Sequence, residues 1–176
     1  MSAEERKCAF LRGVNVNNRK VIMKDVCRIF TDAGMNDVSS VLATGNIIFS
    51  SPLKSAELRT MLETILSAHY SDKIDLFVKD LKDLRIVIEN DPFCSSEEFH
   101  TYVFISEKGT ERDLEELFRN TVPVPDEEGI VSNGTFYWKV KRGGTLTSGF
   151  SKILGRKDLR DKFTSRNINT IKRMVK

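Results

Sequence analysis

Cysteine is scarce in this chain. The three present, Cys8, Cys27 and Cys94, are odd in number and widely spaced, with no CxxC pair. That excludes a zinc knuckle or a thioredoxin-type redox centre, and Cys8 and Cys27 fall in apolar segments where cysteine acts as a small core residue. Histidine is scarcer still, with only His69 and His100, and neither HExxH nor GxSxG occurs. Glu97, Glu98 and His100 lie close in sequence, but their spacing at a strand start is no metal-ligand signature, so no metal and no cofactor are expected. The phosphate-cradling patterns GxxxxGK[ST] and GxGxxG are absent as well. No apolar run approaches the roughly 20 residues that cross a bilayer, and the N-terminus carries no signal-peptide core. A cytoplasmic protein without membrane contact is the expectation.

What the chain does have is enough length for a full core. Its 176 residues are 40% hydrophobic, which suits one domain or two small ones. The net charge of +3 conceals an uneven distribution. Residues 1–90 hold 13 basic and 12 acidic side chains, residues 91–150 hold 6 and 11, and residues 151–176 hold 9 and 2. A basic C-terminal segment raises the local potential for phosphates without itself defining a site.

Periodicity sets out the elements. Cys8–Leu11 reads as a buried strand ending at Gly13, and Met23–Ala33 has helical spacing stopped by Gly34. Val38–Leu42 and Ile47–Phe49 flank the turn Ala43-Thr44-Gly45-Asn46, Ser55–Tyr70 reads as a helix, and Ile74–Val78 as a strand. This order is the split βαβ pattern of a ferredoxin-like unit. Asp80–Glu89 reads as a helix broken at Asn90-Asp91-Pro92-Phe93, because Pro92 disfavours helical geometry at Asp91. The pattern then repeats, with strand His100–Ile105, helix Thr110–Arg119, and a hairpin of Gly129–Val131 and Thr135–Val140 turning at Ser132-Asn133-Gly134. The acidic group Asp126-Glu127-Glu128 reads as a solvated loop. The remainder reads as helical, through Ser151–Leu154, Lys157–Phe163 and a helix opening at Thr164. The predicted fold class is α+β, with two ferredoxin-like (split βαβ) subdomains, the second distorted for want of a last strand, and a C-terminal helical segment. The corresponding boundaries are residues 1–79, a helical linker over 80–98, and residues 99–176.

Four constellations carry chemistry. Arg12, Asn15, Arg19 and Lys20 follow the first strand, where loops at strand ends often meet ligands; a polar connection satisfying its own backbone explains them too. Thr44 and Asn46 belong to the hairpin turn and can also reach the Asn15 loop. Gly143–Lys152 combines glycines, hydroxyls and Lys152, which suits either an anion-holding backbone nest or a flexible loop. The run Thr164–Ile171 combines a capping hydroxyl at Thr164 or Ser165 with an apolar stripe of Ile168, Ile171 and Val175. Arg166, Asn167, Asn169 and Thr170 would then lie in or beside a helical first turn that favours an anion, or in a well-bonded cap. A ferredoxin-like sheet also frames RNA-recognition modules, but the strands Cys-Ala-Phe-Leu and Ile-Ile-Phe lack their glycine- and aromatic-rich pattern.

These residues together resemble the DUF1697 family, a mainly bacterial family of uncharacterised proteins. Its opening LRGxNVGGxxxxxMxxL is matched by Leu11, Arg12, Gly13, Asn15, Val16 and Met23, and loosely by Val26. Its SGNVxF is similar to Thr44-Gly45-Asn46-Ile47-Ile48-Phe49, its NPF to Asn90, Pro92 and Phe93 around Asp91, and its TxRNWNT to Thr164, Arg166, Asn167, Asn169 and Thr170. Asn17 and Asn18 replace the paired glycines, Thr44 a serine, and Ile168 a tryptophan. The resemblance implies paired ferredoxin-like subdomains and brings no activity or cofactor.

Three functional expectations follow. The first is non-catalytic binding of an anionic partner, a nucleic acid, nucleotide or small anionic ligand, through Arg12, Asn15, Arg19, Asn46, Lys152, Arg166, Asn167 and Asn169. The second is a small enzyme acting on a phosphorylated or carboxylated metabolite. The third is a structural or protein-interaction domain whose polar motifs act as a clasp between subdomains. The oligomeric state is not readable from the sequence.

Overall fold

The computed structural model describes residues 5–14, 21–94, 96–122, 124–159 and 161–176. The chain divides into two compact units, residues 1–85 with 173–176, and residues 86–172.

In the first unit the elements run β1 (Glu5–Leu11), α1 (Met23–Asp32), β2 (Asn36–Ser40), β3 (Asn46–Ser51), α2 (Ser55–Tyr70) and β4 (Leu76–Asp80), followed by α3 (Leu81–Glu89), which begins here and runs into residues 86–89 of the second unit. The four strands form one antiparallel sheet in the order β2-β3-β1-β4, the ferredoxin-like arrangement. Strand alternation divides the sheet's faces. Ala9, Leu11, Ile47, Phe49, Leu76 and Val78 share a core with Val26, Ile29 and Phe30 of α1 and Leu58, Leu62 and Leu66 of α2. The helical stripes therefore come from three- and four-residue spacing in the sequence, and the sheet face from two-residue spacing.

The second unit repeats this plan. Its elements are β5 (Phe99–Ser106), α4 (Thr110–Arg119), β6 (Glu128–Ser132), β7 (Thr135–Lys141), α5 (Gly149–Leu154), a 3-10 turn at Lys157–Leu159, β8 (Phe163–Asn167) and α6 (Ile168–Met174), of which residues 173 and 174 are grouped with the first unit. The sheet order is β6-β7-β5-β8, all antiparallel. The β6–β7 turn has positive φ at both Asn133 (44°) and Gly134 (72°), the geometry that the Asn-Gly pair favours and that matches strand twist. The core is aromatic. Phe104, Phe136, Trp138, Phe150 and Phe163 are all buried, and Phe104 meets Phe136 and Phe163 at ring-centroid distances of 5.2 and 5.3 Å.

The C-terminal expectation needs correction. Residues 163–167 form a strand, so the last strand is present and the second unit is topologically complete. Its departure from the first unit lies in the crossover, where a six-residue helix and a 3-10 turn replace the sixteen-residue α2. The cap also moves, because the terminal helix starts at Ile168 and not at Thr164.

Two edge strands have outward N–H groups taken by glutamates from neighbouring helices. Glu63 accepts from Leu76 N at 3.0 Å in β4, and Glu115 accepts from Val131 N at 3.2 Å in β6. Each carboxylate is also held by an arginine one helical turn away, Arg59 and Arg119. Satisfying edge donors in this way removes a template for unwanted strand pairing.

Gly129 of β6 is a packing requirement. A Cβ there would stand 2.6 Å from the Phe118 ring. Gly129→Ala is therefore expected to destabilise the protein by about 1–3 kcal/mol through overpacking, read as a lower urea midpoint. An unchanged midpoint would contradict the packing described.

Candidate functional site

The first unit holds Arg12 and Asn46. Arg12 follows β1, is half-buried, and its backbone N–H donates to Asp75 O at 2.8 Å. Asn46 opens β3 opposite Phe10 and is fully buried. Its Nδ2 donates to Val41 O at 3.0 Å and to Thr44 Oγ1 at 2.9 Å, closing the loop over residues 41–45. Turn chemistry thus accounts for the Thr44-Gly45-Asn46 signal. Asn15, Arg19 and the neighbouring Lys20 lie outside the described residues.

Lys152, Arg166, Asn167 and Asn169 belong to the second unit. Strand β8 pairs with β5 so that Arg166 faces Val103 across the ladder and Asn167 faces Tyr102. Adjacent strand residues point to opposite faces, so Arg166 and Asn167 leave β8 on opposite sides. The Arg166 Nη1 donates to Thr164 Oγ1 at 2.7 Å and to Ser165 O at 2.8 Å. Desolvation pushes the Arg166 pKa down to about 10. The guanidinium is part of the strand's own hydrogen bonding.

Asn167 has two roles on the other face. Its Oδ1 accepts the Asn169 N–H at 2.9 Å, capping α6, and its Nδ2 lies 3.1 Å from His100 Nδ1. With Oδ1 committed to a backbone donor, the amide presents its NH2 to the ring. His100 Nδ1 is therefore the acceptor, and the proton sits on Nε2. Tyr102 stands edge-on to His100, 6.1 Å between centroids, and packs on Trp138 at 5.4 Å. His100, Tyr102 and Asn167 are half-buried and Asn169 is exposed. The seven-residue α6 is a helix start capped by Asn167.

The Gly143–Lys152 segment hydrogen-bonds within itself as it leads into α5. Thr147 Oγ1 donates to Gly144 O at 3.0 Å, and Ser148 Oγ accepts from Phe150 N at 3.0 Å and Ser151 N at 3.4 Å. Ser148 is buried and donates onward to Glu127 Oε1 at 2.5 Å, the oxygen that also takes Trp138 Nε1 at 2.7 Å. Glu127 is a structural acceptor, not a member of a solvated acidic loop. Lys152 projects from α5 and is exposed. The Asn90–Phe93 signal is likewise structural. Asn90 Nδ2 donates to Ile86 O at 2.8 Å, Asp91 Oδ1 accepts from Phe93 N at 3.0 Å, and Lys139 lies 5.3 Å from the Phe93 ring centroid and 5.2 Å from that of Phe99.

A charged cluster in the first unit has no counterpart among the sequence motifs. Lys7 is 2% exposed and donates to Asp80 Oδ1 at 2.6 Å and to Glu5 Oε2 at 3.4 Å. Ser55 at the start of α2 donates to the same Asp80 oxygen at 3.2 Å, and Lys82 joins Glu5 at 3.2 Å. A cavity of about 390 Å³ borders Lys7, Lys54, Ser55, Lys79, Asp80 and Asp83, among others. Desolvation acts to raise the Asp80 pKa, but the hydrogen bond and charge of Lys7, with Ser55 and Lys82, outweigh it and hold the carboxyl below its ordinary value. The available sequence signal was phase, since Lys7 shares the inward register of Ala9 and Leu11. Among the described residues, no group of three or more metal-ligating side chains converges.

Fold and site together define a duplicated ferredoxin-like α+β protein whose polar motifs are largely engaged in hydrogen bonds. The sequence model of the family described as "Protein of unknown function (DUF1697)" matches residues 5–137, and the chain belongs to that family. The match ends before the Thr164–Thr170 motif. A solved structure described as the conserved bacterial protein SP0830 from Streptococcus pneumoniae is similar over 99% of this chain and 100% of its own, with 24% identity and a TM-score of 0.79. That likeness concerns the fold. No curated protein matches.

Two outcomes test this geometry. In nitrogen-15 NMR at about pH 8, His100 should appear as the Nε2–H tautomer, and Asn167→Ala should mix the tautomers while costing about 1 kcal/mol of cap stabilisation. A predominant Nδ1–H form in the unmodified protein would contradict the pairing. The second outcome concerns Asp80. Because its folded pKa is depressed, its contribution is present above the unfolded carboxylate value, about 3.9, and is lost as pH falls through the lower folded value. The stability advantage over Asp80→Asn should therefore shrink below about pH 4. An advantage that is flat in acid would contradict it.

Proposed function

We propose that this protein binds an anionic partner, a nucleic acid or nucleotide, without catalysis. The observation that carries the reading is a division among its polar residues. Asn46, Arg166 and Asn167 spend hydrogen bonds inside their own units, whereas Lys152, Lys162, Arg173 and Lys176 are exposed and make no ion pair among the described residues. These four belong to residues 151–176, which hold 9 basic and 2 acidic side chains. Contact then falls to the exposed Lys152, Lys162 and Asn169 of the second unit, and Arg166 becomes a scaffold residue. Phosphate contact supplies affinity and steering without a preformed pocket. The proposed setting is the cytoplasm of a bacterial cell, which suits three cysteines that are all unpaired. Among the described residues no helix is long and apolar enough to cross a membrane.

A second reading, a small enzyme acting on a phosphorylated or carboxylated metabolite, is favoured by His100. Its ring is oriented by Asn167 and its Nε2–H is left as a donor beside Tyr102. Substrate turnover abolished in a folded His100→Gln protein would support it.

Fluorescence anisotropy with labelled RNA, DNA and nucleotides tests the leading reading. Binding should weaken with salt, and Lys152→Ala with Lys162→Ala should reduce the logarithmic salt slope by about one for each phosphate no longer neutralised. No salt-sensitive binding to any of these ligands would sink it.

A further inference from the structure

One amide in the second unit serves two elements. Asn167 Oδ1 accepts the Asn169 N–H at 2.9 Å and caps α6, while Asn167 Nδ2 lies 3.1 Å from His100 Nδ1 on β5. A backbone N–H only donates, so the cap fixes which end of the amide faces the ring. The arrangement holds while Nδ1 accepts, which is the neutral imidazole. An added proton makes both ring nitrogens donors, and Nδ1–H then meets the Asn167 NH2, donor against donor.

The amide resolves this conflict by turning over, which gives Oδ1 to the imidazolium and takes it from the Asn169 N–H. A hydrogen bond from a charged donor is roughly twice as strong as a neutral one, so the ring wins the oxygen. Asn169 is exposed and its freed N–H finds water, whereas His100 and Asn167 are half-buried. Helix α6 has seven residues, well short of the about 12–15 at which an isolated helix holds in water, so its first turn depends on the cap.

The groups around the ring leave its charge to this contact. On β5 itself Tyr102 stands edge-on at 6.1 Å, and across β7 the ring's residue faces Val140, whose neighbours Lys139 and Lys141 point to the other face. Glu98 before β5 and Arg142 after β7 are exposed, opposite in sign, and joined by Arg142 N–H to Glu98 O at 2.9 Å. Helices α4 and α5 bring the apolar Leu114, Phe118 and Phe150 to the core against which Tyr102 packs. Strand β8 brings Asn167 and the start of α6 brings Asn169, both uncharged, with Lys172 and Arg173 further along that helix. Among the described residues, no charged group hydrogen-bonds or ion-pairs with His100.

We infer that His100 and Asn167 form a proton-operated catch on α6. Neutral His100 leaves the Asn167 oxygen on the helix, and protonated His100 draws it away and frays the first turn. The catch needs no ligand, so it stands or falls apart from the anion-binding reading.

An NMR titration of the full chain from about pH 8 to about pH 5 tests it, with His69 at the end of α2 as an internal control. As the His100 ring carbons titrate, the Asn169 amide proton should move upfield and the α-carbon shifts of Asn169 to Ile171 should lose their helical offset. Both changes should share the midpoint of His100 and not that of His69. In Asn167→Asp the carboxylate accepts from the helix and the imidazolium at once, so the helical offsets should persist to about pH 5 and the His100 midpoint should rise. In His100→Gln the offsets should be flat with pH. An Asn169 amide that stays in place while His100 titrates would overturn the inference. So would the same loss of helical offset on acidification in His100→Gln or in Asn167→Asp.

Discussion

The pairing of β8 with β5 is the constraint on which the second unit depends. It places Ser165 opposite Phe104 and Asn167 opposite Tyr102, and thereby completes a four-stranded sheet around an aromatic core. The same register sends Arg166 and Asn167 to opposite faces. It brings the Asn167 amide to both His100 and the first turn of α6. A one-residue slip would invert every one of these placements, because side chains alternate along a strand. The most informative stretch of the sequence is thus a strand and its exit, with the helix cap built from the strand's last residue.

The first unit was legible because its signals agree across levels. Leu58, Leu62 and Leu66 recur at helical spacing and Ile47 and Phe49 at strand spacing, and both sets share one core. The second hairpin was legible for a similar reason, through Asn133-Gly134 between two β-rich runs. Strand β8 was not. Phe163-Thr-Ser-Arg-Asn offers one large apolar side chain, and its inward partners are the polar Ser165 and Asn167. The Ile168 and Ile171 stripe just beyond it, preceded by hydroxyl residues, favoured a helix begun too early. Long-range pairing with β5 decides the conformation, and a local pattern carries no record of it.

The candidate site was legible in its residue types more than in their roles. Asn46, Arg166 and Asn167 were singled out as hydrogen-bonding groups, and they do make hydrogen bonds, among them bonds within their own unit. Glu127, expected in a solvated loop, and Lys7, in no motif, show the converse. Each looks solvated in sequence, yet Glu127 gathers Trp138 and Ser148, and Lys7 is buried against Asp80. Buried polar groups are held by partners far along the chain, and those partners emerge only with the fold. The exposed cations of residues 151–176 were legible as charge, and the proposed partner rests on them.

The central claim is that residues 163–167 are a strand fastened to β5 and not the start of an anion-binding helix. Backbone carbon-13 shifts and cross-strand nuclear Overhauser contacts in the full-length protein test it most directly. Strand-type shifts through Asn167, Hα and amide contacts linking Ser165 to Phe104 and Asn167 to Tyr102, and helical shifts only from Ile168 are the result expected. Helical shifts beginning at Thr164 or Ser165, without contacts to β5, would contradict the account.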